Sequence, residues 1–523
     1  MPTVIITSAA YVNTEIAAEY GHIPPAFLPF GHSRLFEHQV RRLRKQNSNI
    51  DIVLTVPDNY DMEKCDADWL NSNNISVIKI SDNISLGNSI GYALSKLNLD
   101  GNVCIYHGDS LFDAPLPFDN DVVCVSLSKD SYRWGRLSGQ ENIYHNANNI
   151  KNSVLCGWFA ISDAVDFLRS VTIASGDFIQ ALNLYEKKHQ IKFYYIDSWL
   201  DFGHLHTLYR SKTKIDIARQ FNSVNIDSYF VSKNSDNKNK IMAEANWFET
   251  IPWQLKIYTP TFFCKDNDGY RVAYELSPTL HELYIFSNFN ISTWQWIFDE
   301  CFNFLSKCKE FAKYNTDDKT INVMQELTYK KTISRISLFA KDNDIDLKQE
   351  WKLNGKKVPS LMKVIENTSD IIKNDKNMTA IMHGDFCFTN IFFDFRQGLI
   401  KVIDPRGSIV DNKYTIFGDS RYDLAKLNHS VEGYDLILAQ RFYYFEKSSY
   451  DVDFLLFHTN ITKEIIKEIS NFSVDGCKTT NKSIIASTIQ LFLSMLPLHS
   501  DRKERQKAFI ANALRLYLQL DSQ

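Results

Sequence analysis

The sequence predicts an α/β protein in two parts. Residues 1–215 read as a mostly parallel sheet with covering helices. Residues 216–523 read as a second domain, with a small strand-containing lobe leading into a helical lobe. Three observations predict this. Buried-strand signals alternate with helical periodicity through the first part. A chain of 523 residues is too long for one hydrophobic core. From about residue 290 onward, long amphipathic helical patterns dominate, as in Trp294–Phe311, Ile484–Leu496 and Lys507–Leu520.

In the first part the strand signals are Val4–Thr7, Asp51–Val56, Ile75–Ile80, Val103–Tyr106 and Val122–Leu127. Helical patterns separate several of them, notably Arg34–Lys45 and Asn88–Leu97. In such sheets ligands bind outside the carboxyl ends of the strands. Asp109 sits at one such end, in Ile105-Tyr106-His107-Gly108-Asp109.

The order of several short segments over most of residues 1–215 resembles the sugar-phosphate nucleotidyltransferase family. They are Pro24-Pro25-Ala26-Phe27-Leu28-Pro29, Ser85-Leu86-Gly87-Asn88-Ser89, Gly108-Asp109, Trp134-Gly135-Arg136-Leu137, Cys156-Gly157-Trp158-Phe159 and Trp199-Leu200-Asp201-Phe202-Gly203-His204. The resemblance implies a nucleotidyltransferase-like domain. Asp109 and Asp201 would hold the metal there, and Gly87 and Asn88 would frame the nucleotide base. The family's Gly-rich phosphate loop should fall near Ser8–Ile16, where this chain has neither Gly nor Arg and places Glu15. A loop without glycine keeps the backbone away from phosphate, and Glu15 repels it. Pro25 stands where the family has a lysine. Asp109 and Asp201 also suit ordinary strand-end turns. Two readings therefore stay open: nucleotidyl transfer with a second NTP, or a domain that binds or regulates.

The second part opens with a strand signal, Ser228–Lys233, and a helical pattern, Lys240–Phe248. Lys233 and Glu244 are the candidate ATP-binding pair, a strand lysine held by a helix glutamate. Because Lys238 and Lys240 crowd the region, both charges could instead face solvent. Phe221-Asn222-Ser223 is the best substitute for a phosphate loop, and Tyr274–Leu280 fits a hinge between lobes.

Next comes His383-Gly384-Asp385-Phe386-Cys387-Phe388-Thr389-Asn390, and then Val402-Ile403-Asp404-Pro405. Asp385 and Asn390 lie five residues apart in one loop, and Asp404 ends an apolar strand. Phosphoryl transfer to an alcohol needs such groups. One carboxylate takes the hydroxyl proton, while an amide oxygen and a second carboxylate hold Mg²⁺ against ATP. Each piece alone is an ordinary turn, but the whole constellation is specific.

Residues 383–407 resemble the catalytic segment of the aminoglycoside phosphotransferase and choline kinase family. Gly418–Lys426 is similar to the Asp-x-x-x-Asp-Leu-Ala segment that follows there. The resemblance implies a protein-kinase-like domain with an N-lobe of about 216–285 and a C-lobe of about 286–523. It makes Asp385 the catalytic base, Asn390 and Asp404 the Mg²⁺ ligands, and His383 a brace for the loop. Asp423 would be structural, bonding backbone N–H groups near a helix start. ATP is the implied phosphoryl donor, and the acceptor a small alcohol, amino alcohol or sugar.

A formal net charge of −4, with no long basic run, gives nucleic-acid binding no electrostatic support. Nine scattered cysteines without a Cys-x-x-Cys spacing argue against a disulfide framework or zinc site. No segment reads as a signal peptide or membrane span, so a cytoplasmic enzyme is expected. The leading expectation couples phosphorylation of a small alcohol or sugar to nucleotidyl transfer onto the product. By resemblance this points to capsule or surface-glycan synthesis. The alternatives are a kinase beside an inactive N-terminal domain, and a scaffold built on a dead kinase fold. Tyr, Trp and acidic residues could serve a choline-type cation or sugar hydroxyls, and the oligomeric state is open.

Overall fold

The computed structural model describes residues 3–132, 135, 153–214, 222–226, 229–266, 268–314, 322–410 and 413–522. Trp134, Arg136, Leu137, Phe221 and Ser228, singled out above, lie outside the described residues. The chain divides into two compact units, Met1–Ile215 with Phe286–Asn288, and Asp216–Ile285 with Phe289–Gln523.

The first unit is built on a seven-stranded sheet. Thr3–Thr7 lies between Asp51–Pro57 and Val103–His107, parallel to both, and Ser76–Ile80 extends the sheet beyond Asp51–Pro57. On the other side Ser153–Ile161 runs antiparallel between Val103–His107 and Val122–Leu127. Lys192–Tyr195 closes that edge, parallel to Val122–Leu127. The central strands are apolar on both faces, as in Val4-Ile5-Ile6, because helices cover both sides. One face packs with the helices Leu86–Lys96, Ala164–Ile173 and Phe178–Glu186, the other with Leu35–Gln46.

Two features of this sheet position a site. The backbone N–H of Gly108 donates to the Thr7 carbonyl at 2.9 Å, which fixes the turn after the Val103–His107 strand. A separate two-stranded ribbon then pairs Ser110–Phe112 antiparallel with Trp199–Asp201, in a register that sets Asp201 opposite Ser110. Two carboxylates ninety-two positions apart, Asp109 and Asp201, are thereby brought to one end of the sheet.

The second unit opens with four antiparallel strands in the order Asn222–Ile226, Phe230–Ser235, Gly269–Ala273 and Phe262–Lys265. The helix Lys238–Thr250 packs on this sheet, setting Phe248 against Phe262 and Tyr270, while Trp247 is buried against the Met382 carbonyl and the His383 ring. It starts at Asn237, whose side chain accepts the Lys240 N–H, so one orphan donor of the first turn is satisfied. The remainder is mainly helical. The helix Lys482–Ser494 is buried almost all round and packs against Lys331–Asn343, Leu361–Lys373, Ser420–His429 and Lys503–Asp521. Apart from Lys482 and Gln490 its residues are apolar or small on every face, which suits a central helix. The hairpin Ile391–Asp394 with Leu399–Val402 pairs Ile391 with Val402. The residues flanking that pair, Asn390 and Ile403, are joined by a 3.0 Å backbone bond.

The structure differs from the expected elements in two instructive places. Lys233 lies within Phe230–Ser235, opposite Tyr270, rather than at a strand end. The C-terminal region also carries a four-stranded sheet, in the order Lys356–Val358, Trp351–Leu353, Asp451–Leu456 and Phe442–Ser448. A purely helical reading misses it. In Asp451–Leu456 the odd positions face out and Val452, Phe454 and Leu456 are buried, a period-two pattern too short to dominate among the surrounding helices.

Candidate active sites in the two units

In the second unit, Lys233 Nζ lies 2.6 Å from Glu244 Oε2 and 2.9 Å from Asp404 Oδ1. Lys233 and Glu244 are buried, and the Tyr270 hydroxyl donates to the same Glu244 oxygen at 3.1 Å. Burial alone would lower the lysine pKa, but the Asp404 and Glu244 carboxylates outweigh it and hold the ammonium charged. Asp404 itself takes φ 58°, the left-handed region that costs a non-glycine residue about 1–2 kcal/mol. Three residues on, Gly407 has φ 64° and faces the Ala243 carbonyl so closely that any Cβ would overlap it. The segment after Asp404 therefore lies directly on the helix that carries Glu244.

Asp385 is built from the other side. The Asn390 amide donates to the Asp385 carboxylate and to its backbone carbonyl, both at 3.0 Å. Lys426 Nζ reaches Asp385 Oδ1 at 2.8 Å. The Asp385 side chain is 40% exposed and Lys426 only 8%, so the carboxylate opens to a ligand while its cation stays behind it. Burial pushes the Asp385 carboxyl up, but the Lys426 ammonium wins and keeps it below the usual carboxylate range. His383 braces this loop. Its Nδ1 accepts the Asp385 N–H at 3.2 Å, which assigns the proton to Nε2. Burial lowers its pKa to about 4, so the ring is neutral. The Arg406 N–H donates to the His383 carbonyl at 2.7 Å, tying the Asp404 segment to the Asp385 loop.

Asp423 lies in the first turn of the helix Ser420–His429, and its carboxylate bonds backbone N–H groups, though not those of its own helix. Its two carboxylate oxygens accept the N–H groups of His383 and Gly384 at 2.8 and 2.7 Å. It is Asp419 that caps the helix Ser420–His429, accepting the Arg421 N–H. Asp423, four residues past that cap, clamps the loop that carries Asp385. Burial pushes its carboxyl up to about 7 against the pull of the two N–H donors.

The donor set fits a divalent cation. With its amide nitrogen committed to Asp385, Asn390 has its carbonyl oxygen left to offer a cation. Asp404 is 29% exposed and uses one oxygen on Lys233. Two such oxygens, with phosphates supplied by a nucleotide, are the usual protein contribution to Mg²⁺.

In the first unit, a cavity of about 300 Å³ is lined by His107, Asp109, Asp177, Trp199, Asp201 and His204, among others. Asp109 and Asp201 converge beside Gly203, where an added Cβ would lie 2.5 Å from Asp109 Oδ2 and 3.4 Å from Asp201 Oδ1. Asp201 is also held by the Gly203 N–H at 3.2 Å, by His204 Nδ1 at 3.0 Å and by the Thr207 hydroxyl. Burial, and then the Asp201 charge, push the Asp109 carboxyl up to about 6. Gly87 and Asn88 are not among the described residues lining that cavity. The Gly87 backbone packs against Gly176, within the first turns of the helix Leu86–Lys96, and Leu86 is the member of that segment that lines the cavity. Among the described residues, no group of three or more His, Cys, Asp or Glu side chains is arranged to hold a metal. The two aspartates would need a phosphate ligand to complete such a site.

The raised Asp109 pKa has a signed consequence. The folded state binds this proton more tightly than the unfolded chain, so the associated stability is present below the ordinary 3.8 and is lost as pH rises through about 6. Asp109→Asn removes that cost. In EDTA at pH 8 it should raise stability by about 1–2 kcal/mol, or about 2–8 °C in Tm. At pH 4 the gain should vanish. Thermal denaturation at both pH values checks this, and an unchanged or lowered Tm at pH 8 contradicts it.

Lys426, Lys331, Arg335 and Tyr270 carry no role in the motif reading. Lys426 had a signal, since it follows Asp423 by three positions and shares its helix face. Lys331 and Arg335 come from a helix some fifty residues upstream of the loop and give no local sign.

No protein-family model and no curated protein matches the chain. Solved structures similar to part of it include a Bacillus anthracis protein described as a glucose-1-phosphate thymidylyltransferase (14% identity, TM-score 0.35, 42% of this chain and 98% of that one). A nucleoside-diphosphate-sugar pyrophosphorylase from Vibrio cholerae is similar at 14% identity and TM-score 0.33, over 40% of this chain and 99% of that one. An inositol-1-phosphate CTP transferase from T. maritima is similar at 15% identity and TM-score 0.30, over 42% of this chain and 97% of that one. These likenesses fall on the N-terminal part. No helix among the described residues is long and apolar enough to cross a membrane.

Proposed function

We propose that residues 216–523 form an ATP-dependent kinase of a small alcohol or sugar. The observation that carries this reading is Lys233, which touches Glu244 and Asp404 at once, beside a loop that joins Asp385 to Asn390. A lysine–glutamate pair that positions phosphates, next to a carboxylate for Mg²⁺, is what phosphoryl transfer requires. Mg²⁺ held by Asn390 and Asp404 would neutralise charge on the transferring phosphate. Asp385 accepts the proton of the acceptor hydroxyl. The bond from that oxygen to the γ-phosphorus forms as the bond to the β–γ bridging oxygen breaks, and ADP leaves. Lys426 keeps Asp385 ionised until the proton arrives. Asp423 acts through the loop, holding two of its N–H groups. Mass spectrometry of small alcohols, amino alcohols and free sugars with Mg-ATP tests the reading. A phosphorylated product lost in Asp385→Ala is expected, and no Mg-ATP binding or turnover would sink it.

In the fuller form of the proposal, the N-terminal unit joins the phosphorylated product to a nucleotide and releases pyrophosphate, with Asp109 and Asp201 around a second Mg²⁺. One observation favours the other reading, a unit that only binds or regulates. The described residues lining its cavity include three aspartates and neither Lys nor Arg, so no permanent cation there offsets a triphosphate. Pyrophosphate release with each of the four NTPs and the kinase product separates the two. Release abolished in Asp201→Ala supports transfer, whereas no release with any NTP supports the binding module.

A further inference from the structure

We infer that the acceptor phosphorylated at Asp385 carries an oxyanion group, a carboxylate or a phosphate ester, docked on a cationic wall formed by Lys331, Arg335 and Lys426. The inference rests on the kinase reading and names the acceptor class for the same site.

The wall comes from two helices. On Ser420–His429, Tyr422 and Lys426 are four residues apart and share a face. Lys426 pairs with Asp385, and the Tyr422 hydroxyl lies 3.5 Å from Lys331 Nζ. On Lys331–Asn343, Lys331 and Arg335 are likewise one turn apart. Arg335 Nη1 donates to the Ser494 carbonyl at 3.1 Å, at the last residue of the central helix, which fixes where the guanidinium can sit. Arg406 adds a fourth cation, its stem lying against Gly384.

The charges around Asp385 do not balance. Lys233 is matched by Glu244 and Asp404, and Lys426 by Asp385. Lys331 and Arg335 have no carboxylate within ion-pair distance among the described residues, and Asp423 is committed to backbone N–H groups. Burial, then Arg406, Arg335 and Lys426, press the Lys331 ammonium toward its neutral form. Like cations gathered without counter-charge are costly unless a ligand completes them. The ATP phosphates are not the natural candidate. Lys331 meets Tyr422, which shares a helix face with Lys426, the partner of Asp385, whereas Lys233 meets Glu244 and Asp404. The wall therefore goes with Asp385, the group that would take the acceptor's proton. It disfavours a choline-type or amino-alcohol cation, which would meet like charge.

The test uses the full chain and four probes on one three-carbon backbone, two anionic, one neutral and one cationic: glyceric acid and glycerol 3-phosphate, glycerol, and 3-aminopropane-1,2-diol. Phosphoryl transfer from Mg-ATP is followed by mass spectrometry. Binding is followed by calorimetry on protein saturated with Mg²⁺ and β,γ-methylene-ATP, so that nucleotide phosphate sites are filled. At least one of the two acidic probes is expected to bind and react at least tenfold better than the neutral and amino probes, and the choice between carboxylate and phosphate ester identifies the source of the oxyanion. Lys331→Met and Arg335→Gln should each raise the acceptor KM about tenfold with the KM for ATP within twofold, and Lys331→Arg should restore most of the loss. Preference for the amine or the neutral triol, failure of both acidic probes to bind, or unchanged selectivity in folded Lys331→Met and Arg335→Gln would overturn the inference. A protein that binds no Mg-nucleotide at all marks a different failure, that of the kinase reading itself.

Discussion

Asp385→Asn should lower kcat for phosphoryl transfer by about 10²–10⁴, the range for loss of a general base. The KM for ATP should move less than threefold, because the proposed function gives Asp385 the acceptor and leaves the nucleotide contacts to Lys233 and Asp404. The change is nearly isosteric, and its amide oxygen still accepts from Lys426, so the 8% exposed ammonium keeps a partner. The fold should therefore survive, and a thermal melt run beside the kinetics checks that it does. Activity within tenfold of wild type, in a protein melting normally, would remove Asp385 from its role.

Lys233→Met should act on stability and on nucleotide binding together. It strips the cation from Glu244, whose side chain is 3% exposed and keeps only the Tyr270 hydroxyl as a close partner besides Lys240 at 3.9 Å. Removing one member of a buried pair costs about 3–5 kcal/mol, because the other charge is left in a low-dielectric site. Glu244→Gln added to Lys233→Met should recover part of that loss, since a neutral amide needs no counter-charge. Mg-ATP binding should not return, because the group proposed to meet the phosphates is still missing. Urea unfolding of the three variants, with calorimetric Mg-ATP titrations, reads both effects. Equal stability of Lys233→Met and wild type would mean that Glu244 is not charged in the folded state.

How much of this could be read from residues depends on how local each feature is. Asp385 and Asn390 lie in one loop and Asp404 ends the next hairpin, so spacing alone brings them near each other. Asp109 and Asp201 are far apart in sequence, and only the ordered series of short segments hinted at their meeting. Lys331 and Arg335 are tertiary neighbours of the loop with no register linking them to it. Asp423 shows the opposite limit. Its motif was legible, but its partners were not, because a helix-start acid and a loop clamp look alike until the helix is placed against the loop. The sheet formed by residues 351–358 and 442–456 escaped since its two halves are a hundred residues apart and each is short.

Gly407 leaves no space for a side chain between the segment that follows Asp404 and the helix that bears Glu244. A methyl group there would overlap the Ala243 carbonyl, so a substitution at this one position would force apart the backbone that carries Glu244 and the backbone that follows Asp404.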